Sequence, residues 1–156
     1  MPVDDILVIC SGNICRSPFA EGYLRFLLGQ RHRQHVQVQS AGTLGIVGSR
    51  ASSDSMALAR EAGFDLSEHR SRAVTFDAVD EAGIILVMEQ AHRRELARLF
   101  PDAAERVHLL SEFHPSVSDP ARSPDIFDPI GLSVEDYRRC FALVRDCIDA
   151  FVEQSE

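Results

Sequence analysis

Cys10 and Arg16 stand six residues apart in the run Val8-Ile9-Cys10-Ser11-Gly12-Asn13-Ile14-Cys15-Arg16-Ser17-Pro18. A cysteine acts as a nucleophile in its thiolate form, and a guanidinium offers phosphate two parallel hydrogen bonds. The peptide N–H groups of a tight loop entering a helix can converge on the same anion. A thiolate beneath a phosphoryl group held in that way is placed for in-line attack, forming a cysteinyl-phosphate. The leaving oxygen then needs a proton, and a carboxyl group can give one in the first step and take one from water in the second. Asp119, Asp125 and Asp128 are the candidates, all in a stretch at 111–132 that holds four prolines. Spacing does not choose among them.

The Cys-to-Arg spacing is weak by itself. All 16 cationic residues are arginine, so four cysteines give roughly 0.4 chance matches. The alternative is that Cys10 is a core thiol ending a strand. The flanking elements weigh against that. Ile6–Cys10 is a continuous apolar run expected of a buried parallel strand. Gly12 and Asn13 supply permissive backbone, and Ser17-Pro18 predicts a helix with Ser17 as its cap and Pro18 as its first residue. Further strands are expected at 36–40, 84–88 and 107–110. Helices are expected at 54–62, ending at Gly63, and around Leu96, ending before Pro101. The stretch 111–132 reads as a long loop. Ser133-Val134-Glu135-Asp136 resembles a capping box opening a last helix with Tyr137, Phe141, Val144, Ile148 and Phe151 on one stripe.

Strands alternating with helices predict one α/β domain over 1–156, with a four-stranded parallel sheet and helices on both faces. Ligands in such folds bind beyond the carboxyl ends of the strands, here just after Cys10, Ser40, Met88 and Leu110.

Composition narrows the chemistry. Without lysine, Schiff-base, pyridoxal-phosphate and Walker-type nucleotide mechanisms are excluded. A net charge of −8 argues against nucleic acid or an anionic membrane as partner. No apolar run approaches the about 20 residues of a membrane span, and the N-terminus lacks a signal-peptide layout. The expected setting is cytoplasmic. His32 and His35 lack companions at metal-site spacing, so neither a metal nor a cofactor is expected.

The run CSGNICRSP closely resembles the signature loop of the low-molecular-weight protein tyrosine phosphatases. The resemblance continues through Ser40-Ala41-Gly42-Thr43, His69–Arg72, Leu86-Val87-Met88 and Asp128-Pro129. It implies a two-step phosphatase with Cys10 as nucleophile, Arg16 as phosphate clamp and Asp128 as general acid and base. Asp125 is the fallback acid. Ser11, Gly12, Ile14 and Cys15 would complete the phosphate-binding loop. Ser17 would stabilise the thiolate, and Asn13, Ser40 and His69 would hold the loop in shape. The partner it implies is a phosphorylated protein, such as a bacterial tyrosine kinase.

The chain departs from that pattern where the family pocket carries aromatic walls. Those regions read Ile130 and Leu44-Gly45-Ile46 here, forfeiting aromatic pair energies of about 0.5–1.5 kcal/mol. The Asp128–Gly131 stretch also resembles a bacterial branch that includes protein arginine phosphatases, which typically carry Thr in place of Ile14; an apolar Ile14 leans towards phosphotyrosine. Thioredoxin-coupled arsenate reductases share the loop, but their relay cysteines after the third strand are missing. A non-catalytic phosphopeptide-binding module would need neither Cys10 nor the acid. Cys15 is either a small space-filling residue or, as the family resemblance implies, a thiol that closes a reversible disulfide with Cys10. Cys140 and Cys147 share one face of the last helix and read as buried structural thiols.

Overall fold

The computed structural model describes residues 4–155. Four strands form its sheet: β1 (Asp5–Cys10), β2 (Gln37–Gly42), β3 (Ile84–Val87) and β4 (Val107–Leu109). They lie in the order β2-β1-β3-β4, every pairing parallel. The central strands are buried on both faces, which is why Ile6–Cys10 and Ile84–Val87 are unbroken apolar runs. Helices α1 (Arg16–Gln30), α2 (Ser53–Ala62), α3 (Phe76–Glu81), α4 (Gln90–Leu99) and α5 (Val134–Gln154) surround the sheet.

Alternation along β1 divides the core in two. Ile6, Val8 and Cys10 face Phe19, Leu58, Phe141 and Ile148 from α1, α2 and α5. Leu7 and Ile9 face Val79 and Leu96 from α3 and α4. This is the expected three-layer α/β architecture. No described helix is long and apolar enough to cross a membrane.

Most expected elements are found, with three differences. β2 runs on to Gly42, because Ala41 and Gly42 continue the ladder opposite Ile9 and Cys10. The six-residue α3 was not expected. It buries only Val79 and is started by the Thr75 hydroxyl, which accepts from the Ala78 N–H, so no apolar stripe announces it. Helix α1 begins at Arg16 with Cys15 at its cap position, not at Pro18 with Ser17 as cap. Ser17 cannot cap because its hydroxyl is committed to the Cys10 sulfur. Pro18 is still tolerated in the first turn, where backbone N–H groups lack intrahelical acceptors.

Two helix boundaries are as expected: Gly63 ends α2 in the left-handed conformation at φ 104°, and Ser133 accepts from the Asp136 N–H to open α5. The stretch 111–132 is irregular after a short 3-10 turn at Leu110–Phe113. Cys140 and Cys147 are fully buried, and burial pushes both thiols up to about 12.

Candidate active site

Cys10 is the last residue of β1, and the loop that follows it passes close against Gly42, its partner on β2. A Cβ at Gly42 would lie 2.6 Å from the Ser11 carbonyl oxygen and 2.9 Å from the Asn13 nitrogen. Only a glycine lets the loop lie this close to β2. The tight turn is taken at Asn13, with φ 57°, a left-handed conformation that asparagine tolerates better than most residues. Gly12, expected to supply the permissive backbone, has no positive φ.

The loop carbonyls are tied away from its centre. Those of Cys10, Ser11 and Ile14 accept from the N–H groups of Thr43, Leu44 and Ser52 at 3.1, 2.9 and 3.0 Å. The Asn13 carbonyl pairs with His69 Nε2 at 2.8 Å. In a trans peptide the N–H opposes the preceding carbonyl, so Ser11, Gly12, Ile14 and Cys15 turn their N–H groups inward. The Asn13 N–H points at Cys10 Sγ from 3.3 Å. The result is a cup of donors of the kind that binds an anion.

Beneath the cup lies a buried polar network. Asn13 Nδ2 donates to Ser17 Oγ at 2.8 Å and to Ser40 Oγ at 2.9 Å, and Asn13 Oδ1 accepts from the Arg72 N–H at 3.0 Å. Ser40 in turn donates to Glu21. With Ser17 Oγ already accepting from Asn13, its own proton is free to point at Cys10 Sγ, 2.9 Å away. Two donors, the Ser17 hydroxyl and the Asn13 N–H, are thus aimed at one sulfur, an arrangement that carries negative charge on it. The structure brings Asn13, Ser40 and His69 together around the loop.

Arg16 is 1% exposed, yet charged and well partnered. Its Nη1 donates to Glu89 Oε2 at 2.6 Å and to the Ile126 carbonyl at 2.7 Å, while Nη2 lies 3.4 Å from Ser11 Oγ and 3.6 Å from Asp128 Oδ2. Burial works against this cation, but Cys10, the Glu89 bond and Asp128 outweigh it and raise its affinity for the proton. Removing one partner of such a pair would strand a buried charge at about 3–5 kcal/mol. Cys10, Ile14, Arg16, Leu44, Asp128 and Ile130 line one cleft over the cup. Leu44 and Ile130 are more than half exposed and form its aliphatic rim.

The three candidate acids are separated by geometry. Asp128 lies in the cleft, with one oxygen 3.0 Å from the Ile130 N–H and the other towards Arg16. Asp125 Oδ1 instead accepts from the Gln90 N–H at 2.8 Å, at the first residue of α4. Asp119 accepts from the Ala121 N–H within its own turn. Cys15 also lines the cleft. It is raised in pKa chiefly by burial, opposed by its bonds to Tyr137 and Ser52.

Two residues at this site carried no functional reading in the sequence. Glu89, which grips Arg16, follows β3 at the position where ligands are expected in such sheets. His92, 3% exposed, reaches Ser11 Oγ with Nε2 at 2.9 Å and accepts the Glu89 N–H on Nδ1 at 3.1 Å.

A family model described as low molecular weight phosphotyrosine protein phosphatase matches residues 5–155. The chain belongs to that family. A low molecular weight protein-tyrosine-phosphatase, Etp of Escherichia coli K12, is 32% identical over 130 residues, covering 81% of this chain and 84% of its own. A protein-arginine-phosphatase of Geobacillus stearothermophilus is also 32% identical, over 149 residues, covering 96% of this chain and 94% of its own. Among solved structures, the tyrosine phosphatase Wzb of Escherichia coli K30 in complex with sulphate superimposes with a TM-score of 0.85. It is 30% identical and covers 99% of both chains.

Proposed function

We propose that this chain is a protein-tyrosine-phosphatase that hydrolyses phosphotyrosine monoesters through a cysteinyl-phosphate. The observation that carries the reading is one cleft holding the Cys10 sulfur below inward N–H groups, with Arg16 and Asp128 beside it. In the first step the Cys10 thiolate attacks phosphorus and the P–O bond to the tyrosyl oxygen breaks. Asp128 gives its proton to that oxygen. In the second, the Asp128 carboxylate takes a proton from water, the hydroxide oxygen bonds to phosphorus, and the S–P bond breaks to return the thiolate and release phosphate. Arg16 and the loop N–H groups hold the equatorial oxygens throughout, where charge is spread in phosphoryl transfer.

Substrate choice rests on the cleft walls. Ile14, Leu44, Ile46 and Ile130 present aliphatic surface to the incoming side chain. Such walls suit the flat, apolar body of phosphotyrosine and leave Asp128, already engaged with Arg16, as the cleft's carboxylate to meet the guanidinium of phosphoarginine. The same reading takes 1–156 as one cytoplasmic domain acting on a phosphorylated protein, a tyrosine kinase among the candidates. It takes Cys15, in the same cleft as Cys10, as the thiol that closes a reversible disulfide under peroxide. The test is a rate comparison on matched phosphotyrosine, phosphoserine and phosphoarginine peptides, with Cys10→Ser as control. Phosphotyrosine should be fastest and the variant inactive. A faster phosphoarginine reaction overturns the substrate, and a turning-over variant overturns the nucleophile.

A further inference from the structure

We propose that His92 is a positioning residue for phosphate binding, acting through the Ser11 hydroxyl on the loop and on Arg16. The proposal rests on the phosphatase reading above, and it assigns work to a residue outside the cleft.

The geometry fixes which nitrogen carries the proton. Nδ1 lies 3.1 Å from the Glu89 N–H and must accept it, so the hydrogen of a neutral ring sits on Nε2 and is donated to Ser11 Oγ at 2.9 Å. Burial and the nearby Arg16 charge both hold the ring neutral, lowering its pKa. Ser11 Oγ is within 3.4 Å of Arg16 Nη2 as well. One hydroxyl therefore receives a donor from α4 and another from α1, at the first loop residue after the sulfur. Fixing it sets the direction of the Ser11 peptide and one edge of the guanidinium. Glu89 grips the other edge, and its own backbone is fixed by the same imidazole. His92 thus ties the start of α4 to both anion-binding parts of the site.

The two nitrogens can be tested separately. An asparagine amide reaches about as far as Nδ1 and a glutamine amide about as far as Nε2. His92→Asn can keep the acceptor for Glu89 while losing the donor to Ser11. His92→Gln can keep the donor while losing the acceptor. The readouts are kcat/KM on p-nitrophenyl phosphate, the affinity for inorganic phosphate by calorimetry, and Tm. For His92→Asn we expect about a tenfold loss in kcat/KM and a parallel weakening of phosphate, with Tm lowered by about 2–4 °C for the lost bond. For His92→Gln we expect a smaller loss, within about threefold in both, because Ser11 keeps its donor while the Glu89 N–H loses its acceptor, with Tm lowered by about 2–4 °C for a lost cap.

A structural histidine would move Tm in both variants and phosphate affinity in neither. Parental phosphate affinity in His92→Asn, or an equal loss in His92→Gln, overturns the proposal. If His92→Asn does not fold, Ser11→Ala removes the acceptor instead, and unchanged phosphate affinity there overturns it equally. Absence of turnover in the parent would refute the phosphatase reading, while the phosphate affinities would still decide the role of His92.

Discussion

Asn13 is the residue on which the largest number of loop contacts depend, so Asn13→Ala is the most informative perturbation of the scaffold. The side chain is fully buried and makes three hydrogen bonds, to Ser17 Oγ, Ser40 Oγ and the Arg72 N–H. At about 0.5–1.5 kcal/mol each, their loss costs about 2–4 kcal/mol. Alanine must also occupy φ 57°, adding about 1–2 kcal/mol. The expected destabilisation is therefore about 3–6 kcal/mol. Asn13→Gly loses the same bonds without the left-handed penalty, and should be more stable than the alanine variant by about 1 kcal/mol. Both should lose most turnover, because Ser17 is no longer oriented towards the sulfur. Urea unfolding of the parent and both variants, with kcat/KM on p-nitrophenyl phosphate, measures all of this. A loss below about 1 kcal/mol in Asn13→Ala, or a glycine variant less stable than the alanine one, would refute the reasoning.

Two further outcomes follow from the geometry of the cleft. Asp128→Ala should slow aryl phosphate hydrolysis by about 10²–10⁴, whereas Asp125→Ala should cost about 1 kcal/mol of stability through its α4 contact and leave turnover within a few-fold; parallel kinetics and unfolding check both, and the reverse pattern would exchange the two roles. Gly42→Ala places a methyl group 2.6 Å from the Ser11 carbonyl, so the loop must shift, and kcat/KM should fall by about 10²-fold with vanadate binding weakened alongside; parental values would show that the close approach is dispensable.

Much of this site was legible because its chemistry is local. Cys10, Asn13, Arg16 and Ser17 lie within eight consecutive residues, and the strand before them and helix after them announce themselves by apolar run and periodicity. The error at Ser17 has a physical cause. Ser-Pro ordinarily marks a helix cap, but here the hydroxyl is bonded to a sulfur seven residues earlier, which only the closed loop shows. Spacing alone does not choose between Asp125 and Asp128, and only the resemblance at Asp128-Pro129 favoured the second; in the structure Asp125 faces α4 and Asp128 the cleft. Glu89 and His92 were missed because an acid and a histidine at a helix start are ordinary on a solvated face. Their importance comes from Arg16, 73 residues away from Glu89 in the chain. Helix α3 was missed because one buried valine makes no pattern.

The covalent intermediate is the central claim, and trapping it tests the account most directly. In Asp128→Ala the good leaving group of p-nitrophenyl phosphate still departs, but the base that activates water is gone, so the intermediate should accumulate. Acid quench followed by peptide mass spectrometry should find one added phosphoryl group, on Cys10. No adduct under turnover conditions, or an adduct that persists in the Cys10→Ala, Asp128→Ala double variant, would contradict it.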